Sequence, residues 1–453
     1  MTTITFRGGE IDGETSPPPS KSHTHRALFL ASMAEGRSVL TNCLLSADTL
    51  ATIDACRAMG ARIDIDGSTA TVDGGDLSAP KEPVDALNSG TTMRIFTGLC
   101  SMFDSPVTIT GDDSLKKRPM GPLLEALGRM GVETSSNGGL PPVTVRGPNR
   151  GGPVSIRGNV SSQFITSLLL ASPMLEKGST VTVEGGMVSA PYLDVTTHMM
   201  RLFGADVERD GNVFKIEPGG YRSYGYAVPA DYSSSAFPLV AGALGGRCTA
   251  TGMDPDDPQG DKMILDILAQ AGAKVAQSGR SATVEKSQLR GCEIDMGRVP
   301  DLFPVVAVLL STAEGDSRLY GAPQLRFKES DRIETTVRMI NALGGDAVGT
   351  EDGCIIHGVE RLKGGSVEHL GDHRIMMSAA VASIVCDGPV TMGDPGCAAV
   401  SYPGFPDAMR AIGLRSEEFR CTRLERRSGS RSSARATAPA SGAYWRACRR
   451  ASR

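Results

Sequence analysis

The stretch Cys56-Arg57-Ala58-Met59-Gly60-Ala61-Arg62-Ile63-Asp64-Ile65 decides how the chain is read, because it returns in altered form. Related phrases surround Gly131, Gly204, Gly272, Gly344 and Gly413, at a spacing of roughly 70 residues. Ahead of Gly60, the apolar positions Ile53, Cys56 and Met59, with Ala55 and Ala58, mark one face of a helix. Gly60 falls where a left-handed C-cap is needed. The alternation from Arg62 to Asp66 then predicts a half-buried strand. Turn pairs such as Asp210-Gly211 and Asp352-Gly353 predict hairpins. Each phrase is thus a mixed α/β module, and six modules predict two domains of three. A helix-end phrase can recur by chance, but a near-constant period argues against chance. The last copy closes at Leu414, so the folded body is expected to end there.

At 453 residues the chain exceeds one ordinary core. With 40% hydrophobic and 22% charged residues it has the composition of a globular protein. The ten cysteines are scattered, without CxxC or a Cys/His cluster. They read as small buried hydrophobes in a reducing compartment, with neither a metal site nor a disulfide framework. The N-terminus lacks the basic start and apolar run of a signal peptide. The longest apolar stretches, such as Phe303 to Leu310, are too short to span a bilayer. A cytoplasmic protein without a membrane partner is expected. From Arg415 to Arg453 there are eleven Arg, three Glu and no Lys, a balance of +8. The whole chain carries −4, so residues 1–414 carry −12. A nucleic-acid role would rest on that tail alone. Lacking apolar periodicity, the tail is expected to be disordered; its abrupt composition also fits an out-of-frame ending.

Eight short motifs carry chemistry. Pro19-Ser20-Lys21-Ser22-His23-Thr24-His25-Arg26 runs into a helix expected at Ala27–Glu35, placing Lys21, Ser22 and Arg26 near free backbone N–H groups that favour anions. A plain helix cap reads equally well. Leu87-Asn88-Ser89-Gly90-Thr91-Thr92-Met93-Arg94 also opens a helix, with Gly90 permitting close approach of a ligand. Lys116-Lys117-Arg118-Pro119 is a basic loop in which Pro119 stiffens the entry to a helix expected at Leu123–Met130. Ser161-Ser162-Gln163 precedes an apolar helix expected at Ile165–Leu170, and Ser189-Ala190-Pro191-Tyr192 adds two hydroxyls on a rigid turn. Pro300-Asp301 sets a carboxylate before an apolar run where burial would raise its pKa. Arg326-Phe327-Lys328-Glu329-Ser330-Asp331-Arg332 packs five charges together; as a helix it would put Lys328 and Arg332 on one face. A solvated salt-bridge face is the alternative. Gly371-Asp372-His373-Arg374 opens a helix expected at Ile375–Val385.

Taken in order, PSKSxTxR, NSGTTMR, KKRP, SSQF, SxPY, PD, FKESDR and DHR resemble the 5-enolpyruvylshikimate-3-phosphate synthases across residues 1–414. The resemblance implies an α/β, two-domain enolpyruvyl transferase fold, each domain three βαβαββ repeats in an inside-out α/β barrel. It implies one discontinuous domain from residues 1–16 plus 230–414, a second from 17–229, and an Arg-rich tail at 415–453. The implied reaction joins the enolpyruvyl group of phosphoenolpyruvate to the 5-hydroxyl of shikimate 3-phosphate, releasing phosphate. Its place is chorismate and aromatic amino-acid biosynthesis. No metal or cofactor is implied, and the two substrates are the only partners of an expected monomer.

Matching positions imply roles. Lys21, Ser22, Arg26, Ser161, Ser162, Gln163, Ser189, Tyr192, Asp301, Gln324 and Lys328 would bind shikimate 3-phosphate. Lys21, Gly90, Arg118, Gln163, Arg332 and Arg374 would bind phosphoenolpyruvate. Asp301 would act at the 5-hydroxyl and Glu329 on the carbon proton, with Lys21 and Lys328 assisting and His373 orienting Glu329. One departure is Val400, where many relatives carry a phosphate-binding Lys. Gly90 in place of Ala leaves room for the inhibitor glyphosate, as in sensitive relatives. A sister transferase acting on UDP-N-acetylglucosamine shares the repeat, but its mobile loop usually carries a Cys, absent from Gly111–Met120. An inactive, RNA-binding scaffold with an Arg-rich tail is the rival of another class.

Overall fold

The computed structural model describes residues 2–420. Of the tail expected to be disordered, residues 415–453, the part from residue 421 onward lies outside the described residues, while 415–420 form a strand. Two strands open the chain, β1 (Thr2–Arg7) and β2 (Ile11–Thr15). There follow α1 (Lys21–Met33), β3 (Gly36–Thr41), α2 (Ala47–Ala58), β4 (Arg62–Asp66) and β5 (Thr69–Gly74). Next come β6 (Val84–Asp85), α3 (Gly90–Cys100), β7 (Val107–Thr110), α4 (Gly121–Arg129), β8 (Glu133–Asn137) and β9 (Leu140–Arg146). The third set is β10 (Gly152–Arg157), α5 (Ser162–Ala171), β11 (Ser179–Glu184), α6 (Pro191–Leu202), β12 (Val207–Asp210) and β13 (Val213–Ile216). After β14 (Tyr226–Ala227) stand α7 (Tyr232–Gly245), β15 (Gly246–Thr251), α8 (Ile264–Gln270), β16 (Lys274–Ser278) and β17 (Ser281–Glu285). Then come β18 (Glu293–Asp295), α9 (Phe303–Leu310), β19 (Asp316–Tyr320), α10 (Arg332–Ala342), β20 (Asp346–Gly349) and β21 (Cys354–His357). The last set is β22 (Gly365–Ser366), α11 (His373–Ala382), β23 (Val390–Gly393), α12 (Phe405–Ala411) and β24 (Arg415–Arg420).

The strands form six four-stranded sheets with one recurring order, as in β6-β7-β9-β8 and β18-β19-β21-β20. In these two, the first two strands run parallel and a helix crosses between them, while a hairpin supplies the antiparallel pair. Three of the sheets are completed from afar. β1 fills the fourth-strand position between β23 and β24, and β2 pairs in parallel with β15. β14 pairs with β3 at the start of the other body. The helix-end glycines carry the period: Gly60, Gly131, Gly204, Gly272, Gly344 and Gly413 all have φ between 85 and 113°, a left-handed region that a Cβ disfavours. Cross-strand threonine pairs repeat as well, with Thr108–Thr144 and Thr249–Thr283 at 2.9 Å and Thr5–Thr391 at 3.0 Å.

Two hydrophobic cores result. One joins β1 and β2 to residues beyond Ala230, the other holds residues from Ala27 to Val228. The first helix of each set lies inside and the sheets lie outside, so α5 and α9 are buried on nearly every side while the strands alternate. That explains why the run Phe303–Leu310 shows no polar face. Central helices approach closely: a Cβ at Gly98 of α3 would sit 2.1 Å from the Ser167 hydroxyl of α5.

The structure departs from the sequence reading at several boundaries. α1 begins at Lys21 and ends at Met33, against an expected Ala27–Glu35. The charged run before α10 is not helical: a short 3-10 turn, Pro323–Phe327, gives way to an extended Lys328. Asp352-Gly353 belongs to a longer connection between β20 and β21, and Gly353 matters there because a Cβ would lie 1.8 Å from the Leu319 carbonyl. The ordered body also runs past Leu414, since β24 pairs with β1 from Arg415 to Arg420. Among the described residues, no helix is long and apolar enough to cross a membrane.

Candidate active site

A cleft lies between the two bodies. It gathers the N-terminal ends of α1, α3, α5, α6, α7, α10 and α11 and the turn ahead of α9. Free N–H groups and helix dipoles there favour anions. Every site residue named from the sequence lines this one cleft: Lys21, Ser22, Arg26, Gly90, Arg118, Ser161, Ser162, Gln163, Ser189, Tyr192, Asp301, Gln324, Lys328, Glu329, Arg332, His373 and Arg374.

The wall built from α1, α3, α5, α6 and the loop ahead of α4 holds three buried arginines without a carboxylate partner among the described residues. Arg26 donates to the Thr196 hydroxyl (2.8 Å) and to the carbonyls of Ser22 and Tyr192. Arg94 donates to the Gln163 side-chain carbonyl (2.8 Å) and the Ser161 hydroxyl (3.3 Å), and lies over the Phe164 ring. Arg118 is held by the backbone and side-chain oxygens of Asn88. Burial pushes Arg26 and Arg94 down to about 10, and the Arg118 charge adds to the effect on Arg94. These cations are poorly satisfied until an anion arrives. Lys21 differs, pairing with Asp48 at 3.2 Å. Gly90 lies among them, where a Cβ would be 3.2 Å from a terminal Arg118 nitrogen.

The opposite wall is charge-balanced. Arg332, 1% exposed, meets Glu329 at 2.6 Å, Asp301 at 2.9 Å and Asp372 at 2.9 Å. Arg374 and Lys328 also reach Asp301, at 3.1 and 3.4 Å. Burial opposes ionisation of Asp301, but Arg374, Lys328 and Arg332 hold it well below the usual carboxylate range. Glu329 is half-buried; desolvation opposes its ionisation too, but Arg332, Arg118, His373 and Lys21 hold it well below the usual carboxylate range. The expected pKa rise at Asp301 is therefore reversed, because the neighbouring cations outweigh burial. Lys328 and Arg332 converge on Asp301 from an extended segment and a helix start, not from one helical face.

His373 is 1% exposed and neither ring nitrogen has a hydrogen-bond partner. Arg332, not His373, holds Glu329 through a hydrogen bond. Val400 ends the short helix Pro395–Val400 and is not among the lining residues. His23 and His25 of the first motif do not line the cleft; His25 joins Thr52, Thr92 and Ser89 in a buried chain tying α1, α2 and α3. Sequence reasoning missed Asp48, Thr91, Arg94, Asp231 and Ser233. Arg94 was open to discovery, standing one helical turn after Gly90 on the same face. The others belong to cap and turn chemistry with no distinguishing signal.

The profile of the family described as EPSP synthase (3-phosphoshikimate 1-carboxyvinyltransferase) matches residues 6–409. The 3-phosphoshikimate 1-carboxyvinyltransferase of Methanocorpusculum labreanum is 45% identical over 413 residues, covering 90% of this chain and 98% of that relative. Its counterpart from Methanothermobacter thermautotrophicus is 41% identical over 417 residues, again covering 90% and 98%. The EPSP synthase structure from Acinetobacter baumannii superposes with a TM-score of 0.78 at 30% identity, covering 93% of this chain and 100% of that one.

Proposed function

The chain belongs to the EPSP synthase family, and on that premise we propose how its residues transfer the enolpyruvyl group of phosphoenolpyruvate to shikimate 3-phosphate. The observation that carries the reading is the pairing of two unlike walls: buried arginines lacking acids face an ionised Asp301 and Glu329. Both substrates are multiply anionic, and their charges answer that demand. Ser22, Arg26, Ser161, Ser162, Ser189, Tyr192 and Gln324 hold shikimate 3-phosphate, with Lys328 between the ligands. Gly90, Arg118, Arg332 and Arg374 hold phosphoenolpyruvate, and Gln163 and Lys21 touch both. Arg94 positions Gln163.

Asp301 takes the proton of the 5-hydroxyl as its oxygen bonds to C2 of phosphoenolpyruvate, while C3 gains a proton from Glu329. The tetrahedral intermediate then loses phosphate as Glu329 recovers a proton from C3, and the departing phosphate takes the proton that Asp301 removed. Glu329 is ionised in this arrangement before substrate enters, so it must be protonated before the addition step; the phosphate and carboxylate of a bound substrate favour that by raising its pKa. Lys21 and Lys328 offset the developing charge. No metal or cofactor enters this scheme.

We place the domain boundaries at 16/17 and 229/230, where the two crossing segments pair: the Ser20 N–H donates to the Pro229 carbonyl at 2.8 Å and the Asp231 N–H to that of Pro18 at 2.9 Å. We further propose a cytoplasmic monomer. Phosphate release from phosphoenolpyruvate, measured with shikimate 3-phosphate and then with UDP-N-acetylglucosamine, tests the assignment. Release is expected with the first acceptor alone, and no turnover with shikimate 3-phosphate sinks it.

A further inference from the structure

Asp261 lies just behind the cleft, in the 3-10 turn Gly260–Met263, and is 3% exposed. One of its oxygens, Oδ2, accepts from the Ser233 hydroxyl of α7 and stands 3.3 Å from the Tyr192 hydroxyl, which arrives from the other domain on α6. The same Tyr192 hydroxyl lies 3.0 Å from Asp301 Oδ2. The second oxygen, Oδ1, is buried without a hydrogen-bond partner among the described residues. Gly260 permits this meeting, because a Cβ there would come within 2.4 Å of Pro191 at the start of α6.

Counting protons exposes a shortage. The phenol has one hydrogen, yet two carboxylate oxygens wait for it. Arg374, the nearest cation, is committed to Asp301. With both acids ionised, one would lack the phenol's donor and Asp261 Oδ1 would be a bare buried anion. One additional proton on Asp261 removes the conflict. Asp261 then donates to the Tyr192 oxygen, and the phenol donates to Asp301.

We infer that Asp261 is a positioning residue that takes up a proton as the two domains meet, completing a chain through Tyr192 that orients Asp301 toward the 5-hydroxyl of shikimate 3-phosphate. The groups facing Asp261 fit this assignment. Burial and the Asp301 charge raise its pKa, Arg374 and the Ser233 hydrogen bond oppose them, and Asp231 at the N-cap of α7 adds to the rise, for a value of about 7. The phenol itself is pushed well above its ordinary range by burial and by Asp261 and Asp301, so it keeps its proton. A solvated aspartate titrates near ~4. The closed arrangement therefore gains most from Asp261 below about pH 4, loses roughly tenfold in affinity per pH unit above that, and has lost the gain above about pH 7.

The inference rests on the reading that this cleft binds shikimate 3-phosphate. Calorimetric titration of wild type and Asp261→Asn with shikimate 3-phosphate, near about pH 6 in two buffers of different protonation enthalpy, tests both. Wild type is expected to take up close to one proton more than the variant, since the ligand's own phosphate cancels in the difference. Equal uptake overturns the inference and leaves the binding reading standing, whereas no binding heat in wild type overturns both. If Asp261→Asn does not fold, infrared difference spectra of Glu329→Gln, which lacks the other acid expected to gain a proton on binding, decide the matter. A carboxylic-acid carbonyl band should appear on ligand binding below about pH 7 and fade above it; its absence overturns the inference.

Discussion

On one wall of the cleft, Arg26, Arg94 and Arg118 are buried among hydroxyls, amides and carbonyls; on the other, Arg332 alone faces three carboxylates. The difference separates two duties. Cations without acids form a wall that is incomplete until anions enter, so burial strain is relieved by substrate. Cations locked to acids form a wall that is complete beforehand and keeps Asp301 and Glu329 fixed and ionised. The first wall is a binding surface, and the second is a frame for proton transfer.

The largest expected effect tests the second wall's chemistry. Glu329→Gln should lower kcat by about 10²–10⁴-fold while shikimate 3-phosphate binds nearly as in wild type, read by steady-state rates and calorimetry. Unchanged turnover would remove Glu329 from the mechanism. Next, Arg332→Met should cost roughly 3–5 kcal/mol of stability at neutral pH, because three carboxylates lose their shared cation. Asp301 and Glu329 have depressed values, so their stabilising share is present above their ordinary range and disappears as pH falls through the depressed values. Denaturant titrations should accordingly show the gap between Arg332→Met and wild type narrowing below about pH 4.

The matching change on the first wall should behave differently. Arg118→Met removes a cation that makes no ion pair among the described residues, and Glu329 keeps its contact with Arg332, so stability should move by less than about 1 kcal/mol. Phosphoenolpyruvate affinity should fall about 10–100-fold, the loss of one charge-assisted contact. A large loss of stability would erase the contrast between the walls. The smallest effect belongs to Gly90→Ala. Its Cβ comes tighter than van der Waals contact only to a terminal nitrogen of Arg118, at 3.2 Å, so KM for phosphoenolpyruvate should rise by about tenfold or less. KM for shikimate 3-phosphate should hardly change.

What the sequence revealed follows from what each feature demands locally. A left-handed helix end almost dictates glycine, so Gly60 and its five counterparts announced the repeat before any contact was known. Motifs at helix starts were legible because a cap needs small hydroxylated residues and an anion site needs the same with a cation added. Lys328 to Arg332 misled because charge spacing suits a helix face whether or not the backbone follows it. β24 escaped notice because Arg415–Arg420 is an edge strand of mostly polar residues, held by backbone bonds to β1. Asp261 gave no signal at all: its meaning depends on Tyr192, 69 residues away in sequence and in the other domain.

The placement of β1 has a consequence for the time order of assembly. Its hydroxyl partner Thr391 is 386 residues from Thr5, and both of its neighbours, β23 and β24, are among the last elements described. During synthesis β1 emerges early and must wait for nearly the whole chain. The body from β3 to β14 has no such debt, since its three sheets draw only on residues 36–227. It can close its core on the ribosome while β1 and β2 trail unpaired, and the cleft is finished only when the last strand reaches the first.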